Sequence, residues 1–209
     1  MIIAIDGPAA AGKGTLARRL AKHLGYDFLD TGSLYRGVGL QVLRAGGDPS
    51  DSKAAKAAAE HLDLSLLADP DLRGEDAARA ASLVAAQPAV RAALLDFQRQ
   101  FAHRPPGGMG AVLDGRDVGT VVCPEARVKL FVTASLEARA LRRLAELQAS
   151  GRAAIWEAVL QDMRDRDARD SRRDVAPLKP AEDAVVIDTT SLSPDQVFEA
   201  AKAIVDAKR

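Results

Sequence analysis

The chain has 209 residues, 47% of them hydrophobic and 4% aromatic, with 29 Lys plus Arg against 29 Asp plus Glu. That length fits one domain with a substantial core, and the even charge balance gives no global attraction to nucleic acid or to an anionic membrane. The single Cys123 rules out an internal disulfide, and neither a secretory pattern nor a membrane-length apolar run is present, so a cytoplasmic location is expected, with Cys123 a small packed residue; a monomer is also expected.

Ile2 to Ile5 reads as a short strand, and GPAAAGKGT at 7 to 15 follows it directly. The frame Gly-x4-Gly-Lys, here Gly7, Gly12 and Lys13, wraps backbone N–H groups around phosphate oxygens and hands the charge to a helix N-terminus. Gly14 stands where the common form carries a magnesium-ligating Ser or Thr, and Thr15 comes one position later. That ending is similar to the one seen in nucleoside monophosphate kinases. Ala9, Ala10 and Ala11 occupy positions where relatives often have glycine, so any positive φ among them implies strain.

A helix is predicted over Lys13 to Leu24, then a strand at Phe28 to Leu29. DTGSLYRG at 30 to 37 leads into a helix from Leu34 to Ala45, with Thr31 as the expected cap and Arg36 about one turn in, an arrangement suited to an anion. Helices follow at Ser52 to His61, Glu75 to Ala86 and Pro88 to Ala102. Asp63 to Leu67 reads as a short strand outside the main sheet. The stretch from about 61 to 105 is therefore taken as an insertion, and RPPGGMG at 104 to 110 as a loop.

Ala111 to Leu113 is the next strand, and DGRDVGT at 114 to 120 begins where it ends, the place where ligands gather in open parallel sheets. Asp114 is placed to orient water on a metal ion, with Arg116 and Asp117 directed toward the same crevice. After a strand at Val128 to Val132, the helix Leu136 to Ala149 carries Arg139, Arg142 and Arg143, which read equally as a basic lid or as a solvated face. The lid is expected over about 139 to 155, with Gly151 as its hinge. In the helix Ala153 to Asp170 and just beyond it, Arg166, Asp170 and Arg173 fall at i, i+4 and i+7 and can converge on one ligand. A last strand at Val185 to Ile187 precedes the helix Pro194 to Ala207, which Ser193 caps. Alternation of short apolar runs with helices gives an α/β fold with a five-stranded parallel sheet and helices on both faces, in one domain over 1–209.

IDGPAAAGKGTLA, LDTGSLYR, AASLVAAQPAVRAALLDFQR, DGRDVGTVV and RDARDSRRDVAPL, in that order along nearly the whole chain, resemble bacterial cytidylate kinases. The resemblance implies a P-loop kinase with a nucleotide-binding insert and a short lid, which transfers the γ-phosphoryl group of ATP to CMP or dCMP with Mg2+. Carried onto matching positions, it assigns the ATP phosphates to Gly7, Pro8, Ala9, Ala10, Ala11, Gly12, Lys13, Gly14 and Thr15. Arg36, Arg116 and Arg166 would hold the CMP phosphate; Ser82, Arg91 and Asp117 the cytosine; Asp170 and Arg173 the ribose side; Thr31 the acceptor pocket. Lys13, Arg116 and Arg166 would act on the transferred group, and Thr15 with Asp114 would hold the metal, through water. The stretch from Leu67 to Arg73 is short for the family, so the small sheet of the insert is expected to be reduced.

Phosphoryl transfer asks mainly for positioning and charge neutralisation. A phosphate monoester is largely a dianion at pH 7, so no general base is required, in keeping with His23, His61 and His103 lying outside the motifs. A nucleotide-gated switch would share the phosphate loop, but it needs none of the three anion-directed segments that follow, and no Asn-Lys-x-Asp motif occurs. A kinase for AMP, UMP or another small acceptor is the competing enzymatic reading.

Overall fold

The computed structural model describes residues 1–209. They form two compact units, Met1–Leu29 with Ala102–Arg209, and Asp30–Phe101. No helix is long and apolar enough to cross a membrane.

The first unit is built on a five-stranded sheet of β1 (Ile2–Asp6), β2 (Asp27–Asp30), β3 (Ala111–Asp114), β4 (Val128–Thr133) and β5 (Val185–Asp188). Their order across the sheet is β2-β3-β1-β4-β5, and β1–β3, β1–β4 and β4–β5 all pair in parallel. Strands therefore leave β1 on both sides, and the carboxyl end of β1 is the switch point at which open α/β sheets bind ligands. Polar residues close the strands there: Asp6 on β1, Asp114 on β3, Thr133 and Asp188 on the paired ends of β4 and β5.

Every second strand residue enters one core. Ile3, Ile5, Val112, Val128, Leu130, Val132 and Ile187 pack with Leu16, Ala17 and Leu20 of α1 (Lys13–Leu24), and with Val197, Ala201 and Val205 from the chain's last helix, Pro194–Ala207. The alternate residues Ala4 and Leu113 are also fully buried, so both faces of the sheet are covered, as parallel strands require. The last helix carries the expected cap in full: Ser193 Oγ accepts from Gln196 N while Gln196 Oε1 accepts from Ser193 N.

The second unit packs α2 (Thr31–Arg44) against α3 (Ser52–Glu60), α4 (Glu75–Val84) and the start of α5 (Pro88–His103) around Leu34, Val38, Ala55, Val84, Val90 and Leu94. Two sequence expectations change here. Helix α2 starts at Thr31, earlier than Leu34, and its cap is Asp30 instead of Thr31: Asp30 Oδ1 accepts from Ser33 N at 3.2 Å. Asp63 to Leu67 is no strand. Leu64–Ala68 and Pro70–Arg73 are 3-10 turns, because Asp63 and Asp69 each cap the following backbone, at Ser65 N and Asp71 N. Such local side-chain bonds compete with strand pairing. Arg44 fastens the turns by reaching Asp69 at 2.7 Å and Asp71 at 3.0 Å, and Gln41 accepts from Asp63 N at 3.0 Å. No strand occurs between 61 and 105, so the reduced sheet expected in that stretch is replaced by turns.

The chain beyond β4 runs through α6 (Leu136–Ala149), α7 (Trp156–Ser171) and α8 (Pro194–Ala207). Helix α7 begins at Trp156, later than Ala153, and Ser171 ends it before Arg173, which is therefore not on its helical face.

Close approach of α2 and α4 depends on Gly39, where an added Cβ would lie 2.7 Å from Ala80 Cβ and 3.0 Å from the Ala80 carbonyl carbon. Substituting Gly39→Ala is expected to cost about 1–3 kcal/mol by overpacking, seen as a lower urea midpoint; an unchanged midpoint would show that the crossing has slack.

Candidate active site

The phosphate loop is shaped by one forbidden side chain. A Cβ at Gly7, whose φ is 145°, would lie 1.9 Å from the Val132 carbonyl oxygen, so only glycine can leave β1 beside β4. Ala10 has φ 58° and Gly12 has φ 95°. The strain expected in the alanine run therefore falls on Ala10, at a cost of about 1–2 kcal/mol for a left-handed L-residue. Gly12 gives α1 no side-chain cap, and the first turn holds no acidic residue. Its leading N–H groups and positive dipole end thus present an anion site. Lys13 is buried, with Nζ donating to the Pro8 carbonyl at 2.9 Å and standing 3.8 Å from Asp114 Oδ1. The missing side chain of Gly14 makes room for Asp114, whose Oδ2 would be only 3.2 Å from a Cβ there. Thr15 is exposed on the next position of α1.

The segment after β3 is fixed by a residue that the sequence reading passed over. Asp6, at the end of β1, accepts from Val118 N at 2.8 Å and from Gly119 N at 2.7 Å. These bonds hold the start of a wide helical turn, Val118–Val122, in which Cys123 N reaches back to Val118 O. Asp117, directly before it, is buried. Burial pushes the Asp6 carboxyl up to about 7; the Gly119 and Val118 bonds oppose the rise, the Asp117 charge adds to it and the Lys13 charge opposes it.

Two arginines bond one carboxylate in the same unit, and a third acts on it by charge. Asp170, at the end of α7, is 2% exposed; Arg116 Nε donates to its Oδ2 at 3.2 Å and Arg173 Nη2 donates to its Oδ1. Burial alone would raise the Asp170 carboxyl, but the charges of Arg116, Arg173 and Arg166 outweigh it and hold the group below the ordinary carboxylate range. Arg173 arrives from beyond the helix end, not along its face. The following VAPL segment is tied back by Leu178 N, which donates to the Asp170 carbonyl at 2.8 Å, with Ala176 at φ 53°.

In the other unit, Asp30 serves twice: one oxygen caps α2 and the other holds Arg36 Nη2 at 2.5 Å. Arg36 Nε is buried without a hydrogen-bond partner, as fits a fork awaiting an anion. Thr31 and Ser82 are buried; Arg91 Nη1 donates to the Ala85 carbonyl at 3.2 Å, and its guanidinium lies over the Tyr35 ring at 5.5 Å.

The arginines of α6 are neither a solvated face nor a free basic lid. Arg139 is buried and forks onto Asp167 of α7 at 3.1 and 2.6 Å, while Arg142 donates to Thr189 Oγ1 at 2.9 Å and to its carbonyl at 2.5 Å. Only Arg143 meets an exposed partner, Glu146. Asp30, with Ser33 three positions on, carried a readable capping signal; Asp6 showed only as the acid that ends an apolar run, and Asp167 and Thr189 carried none.

No group of three or more His, Cys, Asp or Glu side chains forms a metal cage. Asp114 beside Lys13, with the Thr15 hydroxyl, suits a magnesium ion that keeps waters and takes most of its ligands from phosphates.

Residues 3–207 match the family model described as cytidylate kinase. A cytidylate kinase of Paramagnetospirillum magneticum is 65% identical over 208 residues, covering 100% of this chain and 99% of its own length. One from Rhodospirillum rubrum is 60% identical over 209 residues, covering 100% and 98%. Among solved structures, an uncharacterized protein from Eubacterium ventriosum has a TM-score of 0.56 at 12% identity over 99% of this chain and 98% of its own, a likeness of fold.

With an ordinary value of 3.8 and a folded value of about 7, Asp6 contributes stability that is complete below about pH 4 and lost as pH rises through 7. The stability of the parent relative to Asp6→Asn is expected to fall by up to about 4 kcal/mol between pH 4 and 8, read from urea unfolding at each pH. A difference that stays constant would show the carboxyl ionised throughout.

Proposed function

The chain belongs to the cytidylate kinase family, and from that premise we propose that it moves the γ-phosphoryl group of ATP to CMP or dCMP, giving ADP and CDP or dCDP. The observation that carries the acceptor half is the cluster at Asp170, where three guanidiniums surround one buried carboxylate. Arg116 and Arg166 of that cluster would face a phosphate monoester that is mostly a dianion at neutral pH. Planar arginine forks suit its oxygens better than lysine point charges do.

The donor half rests on the loop from Gly7 to Thr15, whose N–H groups and Lys13 would hold the ATP phosphates. Lys13 is tethered to Pro8 O and lies near Asp114, so its charge is already directed along the loop before a nucleotide arrives. Thr15 and Asp114 would hold magnesium, which when bound neutralises charge on the β- and γ-phosphate oxygens.

For the acceptor, Arg116, Arg166 and Arg36 would grip the phosphate, with Lys13, Arg116 and Arg166 also acting on the transferred group. Asp170 and Arg173 would contact the ribose side, and Thr31 would line the acceptor pocket. Ser82, Arg91 and Asp117 would read the base: a carboxylate accepts from the cytosine amino group while a guanidinium donates to the ring carbonyl. Arg91 is held by Ala85 O and by the Tyr35 ring, so its orientation is set before binding. The attacking phosphate oxygen is already anionic, and none of the histidines is asked for a proton. His23 instead packs edge-on against Phe198, and His103 pairs with Glu125 on the surface.

A coupled assay of ADP release is expected to show CMP-dependent turnover above that with AMP or UMP; preference for AMP, or release independent of any acceptor, would refute the reading. In the same assay Arg36→Ala is expected to lower kcat/KM for CMP by about tenfold or more while the KM for ATP stays within about twofold, as loss of a charge-assisted fork implies. Equal losses for both nucleotides would remove Arg36 from the acceptor side.

A further inference from the structure

We infer that Arg139, Arg142 and Thr189 are positioning residues that brace the phosphate loop from its outer side and thereby aim its N–H groups at the donor nucleotide. The inference rests on the donor assignment proposed above. Three consecutive loop carbonyls each meet a donor from outside the loop: Ala9 O receives Arg139 Nη1 at 3.4 Å, Ala10 O receives Arg142 Nη1 at 3.5 Å, and Ala11 O receives Thr189 Oγ1 at 3.0 Å. All peptide bonds in the chain are trans, and in a trans peptide the N–H points opposite to the preceding carbonyl. Anchoring the carbonyls of Ala9, Ala10 and Ala11 on one side therefore commits the N–H groups of Ala10, Ala11 and Gly12 to the other.

The anchors are themselves held. Arg139 Nε donates to Ala134 O at 3.0 Å while its terminal nitrogens grip Asp167. Thr189 is 2% exposed, its N donates to Thr133 O at 2.8 Å, and its hydroxyl accepts from Arg142 while standing 3.1 Å from the same Thr133 carbonyl. The brace thus runs from the ends of β4 and β5 through α6 to α7. It supplies the outside constraint that an alanine, lacking glycine's freedom, needs to keep a left-handed backbone at Ala10. None of these three side chains needs to touch ATP for this role.

Thr189→Val keeps the side-chain volume but removes both the donor to Ala11 O and the acceptor for Arg142; Thr189→Ser keeps the hydroxyl. Steady-state kinetics of the full chain are expected to show the KM for ATP raised about tenfold in Thr189→Val, the KM for CMP within about twofold, and Thr189→Ser close to the parent. Arg142→Gln, expected to show the same split, keeps the test open if Thr189→Val does not fold. Equal increases for ATP and CMP, or equal impairment of the Val and Ser variants, would overturn the brace. A parent chain that fails to turn over CMP would overturn the proposed function, whereas normal CMP turnover with an unchanged ATP KM in Thr189→Val and Arg142→Gln would overturn the brace alone.

Discussion

The close approach of Gly7 to the Val132 carbonyl, too tight for any Cβ, is the constraint on which the donor side depends. It fixes where the chain leaves β1, and so the direction in which the loop must curve to start α1 at Lys13. Three further features follow from that path: Ala10 is pushed to a positive φ, Gly12 becomes the uncapped helix start, and Lys13 folds back onto Pro8. The loop is strained before it binds anything. Pre-set strain of this kind persists only where the surroundings over-determine it, and here the surroundings are buried and polar.

Charge is distributed by the same logic of pre-arrangement. The chain has no net charge, yet the end of α7 gathers three arginines about Asp170. The carboxylate there does not cancel the cluster; it orders it, since an isolated set of guanidiniums would repel and splay. Asp30 does the same for Arg36, and Asp167 for Arg139. Each pair keeps a long side chain in one geometry, which lowers the entropy cost of meeting a ligand.

The sheet and most helices were legible because apolar runs ending in glycine-rich or acidic turns have few other readings. Helix α1 and helix α8 match their expected spans, Lys13–Leu24 and Pro194–Ala207. The turn between β1 and α1 was legible from its glycines, and the alanine run Ala9 to Ala11 was marked as the stretch where a positive φ would bring strain, which falls on Ala10. The failures share a cause. Asp63 was read as the first residue of a strand and Asp69 went unread, whereas their side chains build 3-10 turns. Asp30 displaced Thr31 as the cap of α2, and Arg173 reaches Asp170 from outside the helix that the i, i+7 spacing assumed. Asp6 and Thr189 act through tertiary partners far along the chain, at Val118, Gly119 and Ala11. Arg139 and Arg142 read as a basic lid or a solvated face because helical spacing places them together but says nothing of what covers them.

The central claim is that a strained loop with its N–H groups fixed in one direction receives the ATP phosphates. Residue-resolved 15N amide NMR during an ATP titration tests it most directly. The backbone amides from Ala10 to Thr15 should shift first and furthest, saturating together with a single affinity. Saturable ATP binding that leaves those amides unmoved would contradict the account.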